Sequence, residues 1–449
     1  MPNAPDSDPM NAPKTTDDSP DSASLPRVVG VWSLGLNAVN LTVAAGIFGL
    51  PAIVASMLGA QAILAYFICA ALIGLVGLCF AEAGSRIGRA GGLYAYASVP
   101  FGPIVGGIAG TLMWTSAGSV GDAAIANLLV DTLGAVSPVF QASWLRVAIV
   151  LGLFATVAII NIRGVRYGVR LSMALTIIKI APLALLVVGG LFVLDPSKLA
   201  WTSLPPLKSI GEASIVLFYA FVGMEAALSM SGEIIRPSRT VPRGIFLGLL
   251  IITTLYMGSQ LVAQGTLGTA LPQSKAPLVD AANVVFGAWG GRMMLLALII
   301  SATGCVAGDV LSNPRVLHAF AQQGQLPRQL AVIHPRFGTP AAAIAVYAVV
   351  CAVLALSGTF KQLLIIASAG TLMLYLICSL GVLQMRARKV SIDGAHFQIP
   401  FGPLIPLATC LIILWMLSSL SSREIWTALG FVTAVGGIYA VHEFRRSDR

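Results

Sequence analysis

The chain has 449 residues, 57% hydrophobic and only 10% charged, with a mean hydropathy of +0.88 and a formal net charge of +9. A soluble domain carries about 25% charged residues, so a water-soluble core is excluded. The positive charge then reads as membrane topology rather than nucleic-acid binding.

Residues 1–26 are rich in Pro, Ser and Asp and lack an apolar run. Their composition predicts a disordered cytoplasmic tail, not a signal peptide. Beyond them, apolar runs of about 20 residues recur, each long enough to cross a hydrocarbon core of roughly 30 Å. The predicted spans are 30–58, 61–80, 104–133, 145–161, 169–194, 212–232, 244–265, 289–311, 340–357, 361–383, 403–421 and 424–442. The expected fold class is an all-α polytopic membrane protein with twelve transmembrane helices.

Orientation follows from Lys and Arg, which favour cytoplasmic loops. With both termini cytoplasmic, only Arg146, Lys198, Lys208, Lys275, Arg292, Lys361 and Arg423 fall outside, and Lys179 falls within a span. The six cysteines, at 69, 79, 305, 351, 378 and 410, are scattered in or near spans. Without CxxC or Cys/His spacing they read as small apolar fillers, implying neither disulfide nor metal.

Two spans carry helix breakers at mid-depth. The first reads NLTVAAGIFGLPA (40–52), with Gly46, Gly49 and Pro51 near its middle. The sixth reads SIVLFYAFVGMEAALSMSGE (214–233), with Gly223 at its centre. Either alone could be a kink. As a pair they head two blocks of five spans, and five is odd, so the second block enters the membrane inverted. Paired broken helices in an inverted repeat point to a midplane binding site. Freed backbone groups must find partners in lipid. A zwitterionic amino acid supplies them: N–H groups suit its carboxylate and carbonyls its ammonium.

Several segments resemble the amino acid–polyamine–organocation (APC) transporter superfamily. They are GIFGLPA (46–52), EAGSRIGRAGGLYAYA (82–97), FYAFVGMEA (218–226), SGEIIRPSRTVPRGI (231–245) and PRVLHAFAQQGQLP (314–327), in the family's order. The resemblance implies the LeuT-type fold: a first five-helix repeat over 27–200, an inverted second repeat over 201–390, and helices 11 and 12 within 391–449. It also implies a substrate site at Ala44, Ala45, Gly46, Ile47, Phe218, Tyr219, Ala220 and Gly223, with Tyr219 or Phe218 as an aromatic lid.

Three departures from the family pattern matter. Ala44-Ala45-Gly46 stands where a Gly-Ser-Gly-like turn is common, which leaves carboxylate binding to the backbone. Ala90 replaces a usual proline. Asp309 stands where arginine antiporters place an aromatic, which weakens an arginine/agmatine assignment.

Lys179 lies nine residues beyond Arg170, about 13.5 Å along a helix at 1.5 Å per residue. Such a lysine either snorkels to the cytoplasmic interface or faces the bundle interior. Some family members that this chain resembles place a fifth-helix lysine where sodium-coupled relatives bind Na⁺. On that reading Lys179 donates to helix-1 carbonyls and to Ser301 or Thr303, and transport does not need sodium.

Asp122, Glu225 and Asp309 are acids well inside apolar spans, where such residues are costly and usually functional. Glu225, with Lys179 and Asp122, is assigned to proton coupling or gating, with a substrate contact as the alternative. Asp309 is expected to partner Arg315 or Lys179.

The functional expectation is an amino acid permease of the cytoplasmic membrane working by alternating access, proton-coupled or exchanging. A polyamine or arginine/agmatine-type antiporter is the rival within transport. A membrane-embedded enzyme and a passive channel are the rivals outside it. No HExxH or nucleophile motif is present, and none of the four histidines lies at mid-depth, so no catalytic residue, cofactor or metal is expected. The expected partners are the substrate, protons, the lipid bilayer and, as an option, a second copy of the chain.

Overall fold

A computed structural model describes residues 30–87, 92–163, 169–201, 203–223, 235, 237–322, 324–390 and 397–447. Among them every regular element is helical. In chain order these are α1 (Val31–Thr42), α2 (Leu50–Leu58), α3 (Ile63–Ile87), α4 (Gly92–Phe101), α5 (Pro103–Leu112), α6 (Gly121–Val136), α7 (Ser143–Ile162) and α8 (Val169–Gly190). They continue as α9 (Leu207–Phe221), α10 (Pro237–Leu267), α11 (Pro277–Phe286), α12 (Ala288–Ser312), α13 (Pro314–Gln322), α14 (Ala341–Ser357), α15 (Phe360–Ala387), α16 (Leu404–Ser418) and α17 (Ser422–Ser447).

Among the described residues six stretches are long and apolar enough to cross a membrane: Leu50–Ile87, Pro103–Val136, Ser143–Ile162, Arg239–Gln273, Ala288–Gln322 and Phe360–Ala387. Shorter apolar helices include Ala341–Ser357 and Leu404–Ser418. The short helices α4, α11 and α13 fall where the sequence predicted connections. Each has ten residues or fewer, too few to span.

The first predicted span is not one helix. It divides into α1, a 3₁₀ turn at Ala45–Phe48 and α2. The third is continuous only through a π-helical segment, Met113–Val120, between α5 and α6. Such wide turns are rare and occur often at functional sites.

Close packing rests on small residues, which let membrane helices approach when no hydrophobic force separates them from lipid. Helix α1 packs along α10, where Gly244 and Gly248 are four apart. A Cβ at Gly244 would lie 2.7 Å from Leu34, and one at Gly248 3.1 Å from Ala38. The interior is filled by large side chains, among them Tyr66, Phe80, Phe154, Phe218, Phe221, Tyr256, Tyr347 and Tyr375. Conversely, Leu404, Leu407, Leu411 and Leu414 form an exposed stripe along α16. Water would penalise that stripe and hydrocarbon would not.

Candidate substrate and coupling site

The site begins at the break in the first span. Helix α1 ends at Val43 (φ −73°, ψ 87°), and Ala44 is extended (φ −107°, ψ −174°). Ala44 N–H turns back to Thr42 O at 2.8 Å. The chain then makes the tight turn Ala45–Phe48 and restarts as α2 with Pro51 in its first turn. Proline has no N–H to give and fixes φ, so it suits a helix start and cannot continue the preceding ladder.

The end of a second helix faces this break. Helix α9 ends at Phe221, Val222 is extended (φ −71°, ψ 143°), and Gly223 takes φ +119°. Only glycine adopts that conformation without strain. A Cβ on Gly223 would lie 2.6 Å from Leu41 O and 3.3 Å from Thr42 Cα. The two interrupted helices therefore meet backbone to backbone.

Tyr256 of α10 closes this junction. Its hydroxyl lies 3.0 Å from both Thr42 O and Ala220 O. One phenol thus serves the last carbonyls of α1 and α9, groups that broken helices leave without an intrahelical partner. Its ring stacks edge-on to Phe221 at 5.2 Å. A lone tyrosine in an apolar span reads as packing, and sequence reasoning passed over it.

Tyr219 and Phe218, adjacent on α9, point different ways. The Tyr219 ring covers the first break, since a Cβ on Gly46 would meet it at 3.1 Å. Its hydroxyl donates to Gly121 O at 2.7 Å. Phe218 is fully buried and edge-on to Tyr375 of α15 at 5.6 Å. Ala45, Gly46 and Ile47 are buried and Ala44 is partly exposed. The junction therefore gathers Ala44, Ala45, Gly46, Ile47, Tyr219, Ala220 and Gly223, but not the Phe218 ring. Glu225 and Glu233 lie outside the described residues.

A cavity of about 450 Å³ reaches Gly49, at the end of the first break. Ile53, Leu128, Asp131, Arg146, Lys275 and Phe360 help to line it. Arg146 holds Asp131 at 2.6 Å.

Lys179 is 9% exposed, and its side chain ends against α12. A Cβ on Gly304 would lie 3.7 Å from Cε and 4.0 Å from Nζ. Among the described residues it makes no hydrogen bond or ion pair. The expected contacts to Ser301 and Thr303 are corrected. Ser301 Oγ is buried with no partner among the described residues, and Thr303 is exposed.

Asp122, which follows the π segment, is 1% exposed. Tyr347 of α14 donates to its Oδ2 at 3.0 Å. Tyr347 in turn accepts from Asn313 Nδ2 at 3.1 Å. That same amide lies 3.4 Å from Asp309 Oδ1. The Asp309 carboxyl itself is within hydrogen-bonding reach of that of Asp122. The expected partners of Asp309 are thus replaced by Asn313, Cys305 (Sγ to Oδ2 3.9 Å) and Asp122. Arg315 is exposed.

A separate ionic cluster lies at the far ends of α3 and α15. Glu82 is fully buried and accepts from Arg86 Nε at 2.8 Å and Arg386 Nε at 2.7 Å. It also accepts from the Ile399 N–H at 2.9 Å. Sequence reading took both arginines only as topology signals and did not single out Glu82.

An interrupted helix apposed to the end of another, in an apolar bundle that is helical throughout the described residues, is the architecture of a polytopic membrane protein. The chain belongs to the amino acid permease family of the APC superfamily, which it matches over residues 29–438. It is therefore a multi-pass membrane protein of a family that transports amino acids and related solutes.

It is 27% identical over 432 residues to the methylthioribose transporter of Bacillus subtilis (strain 168), covering 91% of this chain and 93% of that protein. It is 27% identical to the serine/threonine exchanger SteT of the same organism, covering 85% and 88%. A third relative is the branched-chain amino acid permease BcaP of Lactococcus lactis subsp. cremoris (strain MG1363), 27% identical, covering 92% and 93%.

Proposed function

We propose that the chain is a twelve-span permease of LeuT-type architecture that moves an amino acid across the cytoplasmic membrane by alternating access. Its five-helix repeats would occupy 27–200 and 201–390, with both termini cytoplasmic and a homodimer as an option. The observation that carries this reading is the junction at which Gly223 abuts Leu41 O while Tyr256 reaches Thr42 O and Ala220 O. Backbone N–H groups of the turn Ala45–Phe48 are the proposed seat of the substrate carboxylate, in keeping with the anion preference of helix N-termini. Carbonyls at the two breaks take the ammonium, and Tyr219 is the lid. Lys179 places its amine beside α12, which motivates sodium independence, and it stays with Asp122 and Glu225 as a coupling or gating group. Glu225 is retained as a gating or proton-carrying group, and protons as the coupling ion.

A second reading is a solute without an α-carboxylate. Two observations favour it: the first break offers no side-chain hydroxyl at Ala44-Ala45-Gly46, and one relative is named a methylthioribose transporter.

The test is uptake by proteoliposomes of labelled neutral and cationic amino acids, polyamines and methylthioribose. Unlabelled substrate on the far side should accelerate uptake, as in a carrier and unlike a channel. Replacing sodium by choline should leave the rate unchanged. Gly46→Leu, whose side chain would meet the Tyr219 ring, should insert normally and bind nothing. Failure of every amino acid and amine to enter would overturn the reading.

A further inference from the structure

We infer that Asp122 and Asp309 form one proton-binding site, two carboxyl groups holding a single proton between α6 and α12. The inference deepens the transport reading and rests on it only for its consequence, that this proton drives uptake.

Ionised carboxylates are acceptors only. Placed within hydrogen-bonding reach, two of them present lone pair to lone pair, and like charges at that separation cannot both persist. One proton converts the clash into a bond, with the carboxyl O–H of one donating to the carboxylate of the other. A second observation points the same way. Asp122 Oδ1 is buried and has no hydrogen-bond donor among the described residues, although Oδ2 is satisfied by Tyr347. Asp122 makes no ion pair among them either. An orphaned carboxylate oxygen at that depth lacks a cation or a proton. A proton supplies the missing donor and needs no further ligand.

Among the described residues, several helices contribute groups around the pair. From α12 come Asp309 and Cys305, from α14 Tyr347 and Cys351, and from α9 Tyr219. Helix α15 packs on the same region through Gly370 and Ser116. Lys179 lies against Gly304, close enough to Cys305 to act on it electrostatically, as Asp309 and Asp122 do. The two acids differ in access, since Asp122 is buried and Asp309 is partly exposed. Asp309 is therefore the end at which the proton enters from water and leaves to it. Only O–H bonds form and break. Tyr347 positions Asp122, and Asn313 ties Tyr347 to Asp309.

The experiment uses full-length protein in lipid nanodiscs with the proton itself as probe. Infrared difference spectra across a pH step should contain the carbonyl stretch of one buried protonated carboxyl. Asp122→Asn and Asp309→Asn should each abolish it, because either leaves an amide to donate to the remaining carboxylate. Tyr347→Phe should shift the band without removing it, which a bystander tyrosine would not do. Absence of the band in the wild type, or its survival in both aspartate variants, would overturn the site.

In proteoliposomes loaded with labelled serine, leucine or methylthioribose, both variants should keep counterflow and lose accumulation driven by a pH gradient. Retained accumulation in both would overturn the coupling role and shift it to Glu225. If wild-type protein moved none of the probes, the transport reading would fail while the infrared result still judged the site.

Discussion

Tyr256 gathers three loosely connected facts into one atom. Its hydroxyl sits 3.0 Å from two carbonyls that belong to different broken helices. Removing it takes that donor from Ala220 O, while Thr42 O keeps the Ala44 N–H. An orphaned buried polar group costs about 1–3 kcal/mol. Tyr256→Phe should therefore lower the unfolding midpoint of purified protein and cut transport, whereas a packing role would leave both near wild type. The phenol was not legible in the sequence, because an apolar span with one tyrosine has many ways to bury it. Phe218 and Tyr219 show the same limit. Their neighbouring positions are equivalent in composition, yet only the folded helix shows that one ring covers Gly46 and the other meets Tyr375.

Individual elements were easier to read where the cause is local. Gly46, Gly49 and Pro51 forecast the first interruption, and Gly223 the second, because backbone conformation and a missing N–H act within a few residues. The wide turn Met113–Val120 holds Gly118 but no proline, and one glycine does not distinguish a wide turn from a regular helix; nor is the pairing of Asp122 with Asp309 marked locally, since it needs two helices far apart in sequence to be side by side. Helix α10 shows how an element is held. Gly244 faces Leu34, and a Cβ there would sit 2.7 Å from the leucine. Overpacking of a close helix contact costs typically 1–3 kcal/mol. Gly244→Val should push α1 off α10, destabilise the protein by that order, and weaken transport more than Gly430→Val, a change at a glycine with open space around it. Equal effects of the two substitutions on thermal stability would refute this view of the contact.

For the molecule as a whole, the Glu82 cluster joins parts that the chain separates by hundreds of residues. It ties the end of α3 to α15 and to the backbone at Ile399, and Arg86 adds a bond to Val390 O at 3.1 Å. Buried ion pairs contribute little net stability over an apolar replacement. Breaking one by removing a single partner is costly, about 3–5 kcal/mol. Glu82→Gln should accordingly lower stability by that order, while Arg386→Lys, which keeps the charge but loses the two-pronged grip, should fall between. A thermal melt of Glu82→Gln matching wild type would remove the cluster from the list of fastenings. The membrane class was legible at this scale from composition alone. This fastening was not, since charges near span ends ordinarily report only sidedness.

The contact of Gly223 with Leu41 O bears on how such a carrier can diversify. A clash between side chains can be relieved by trimming either partner. A carbonyl oxygen cannot be trimmed, because every amino acid carries the same one. The junction is therefore out of reach of compensating substitutions, and lineages or laboratory selections that change what is carried must do so around it. Neighbouring side chains such as Ala44 and Tyr219 can be exchanged where those carbonyls cannot, although Tyr219 would give up its bond to Gly121 O in the exchange.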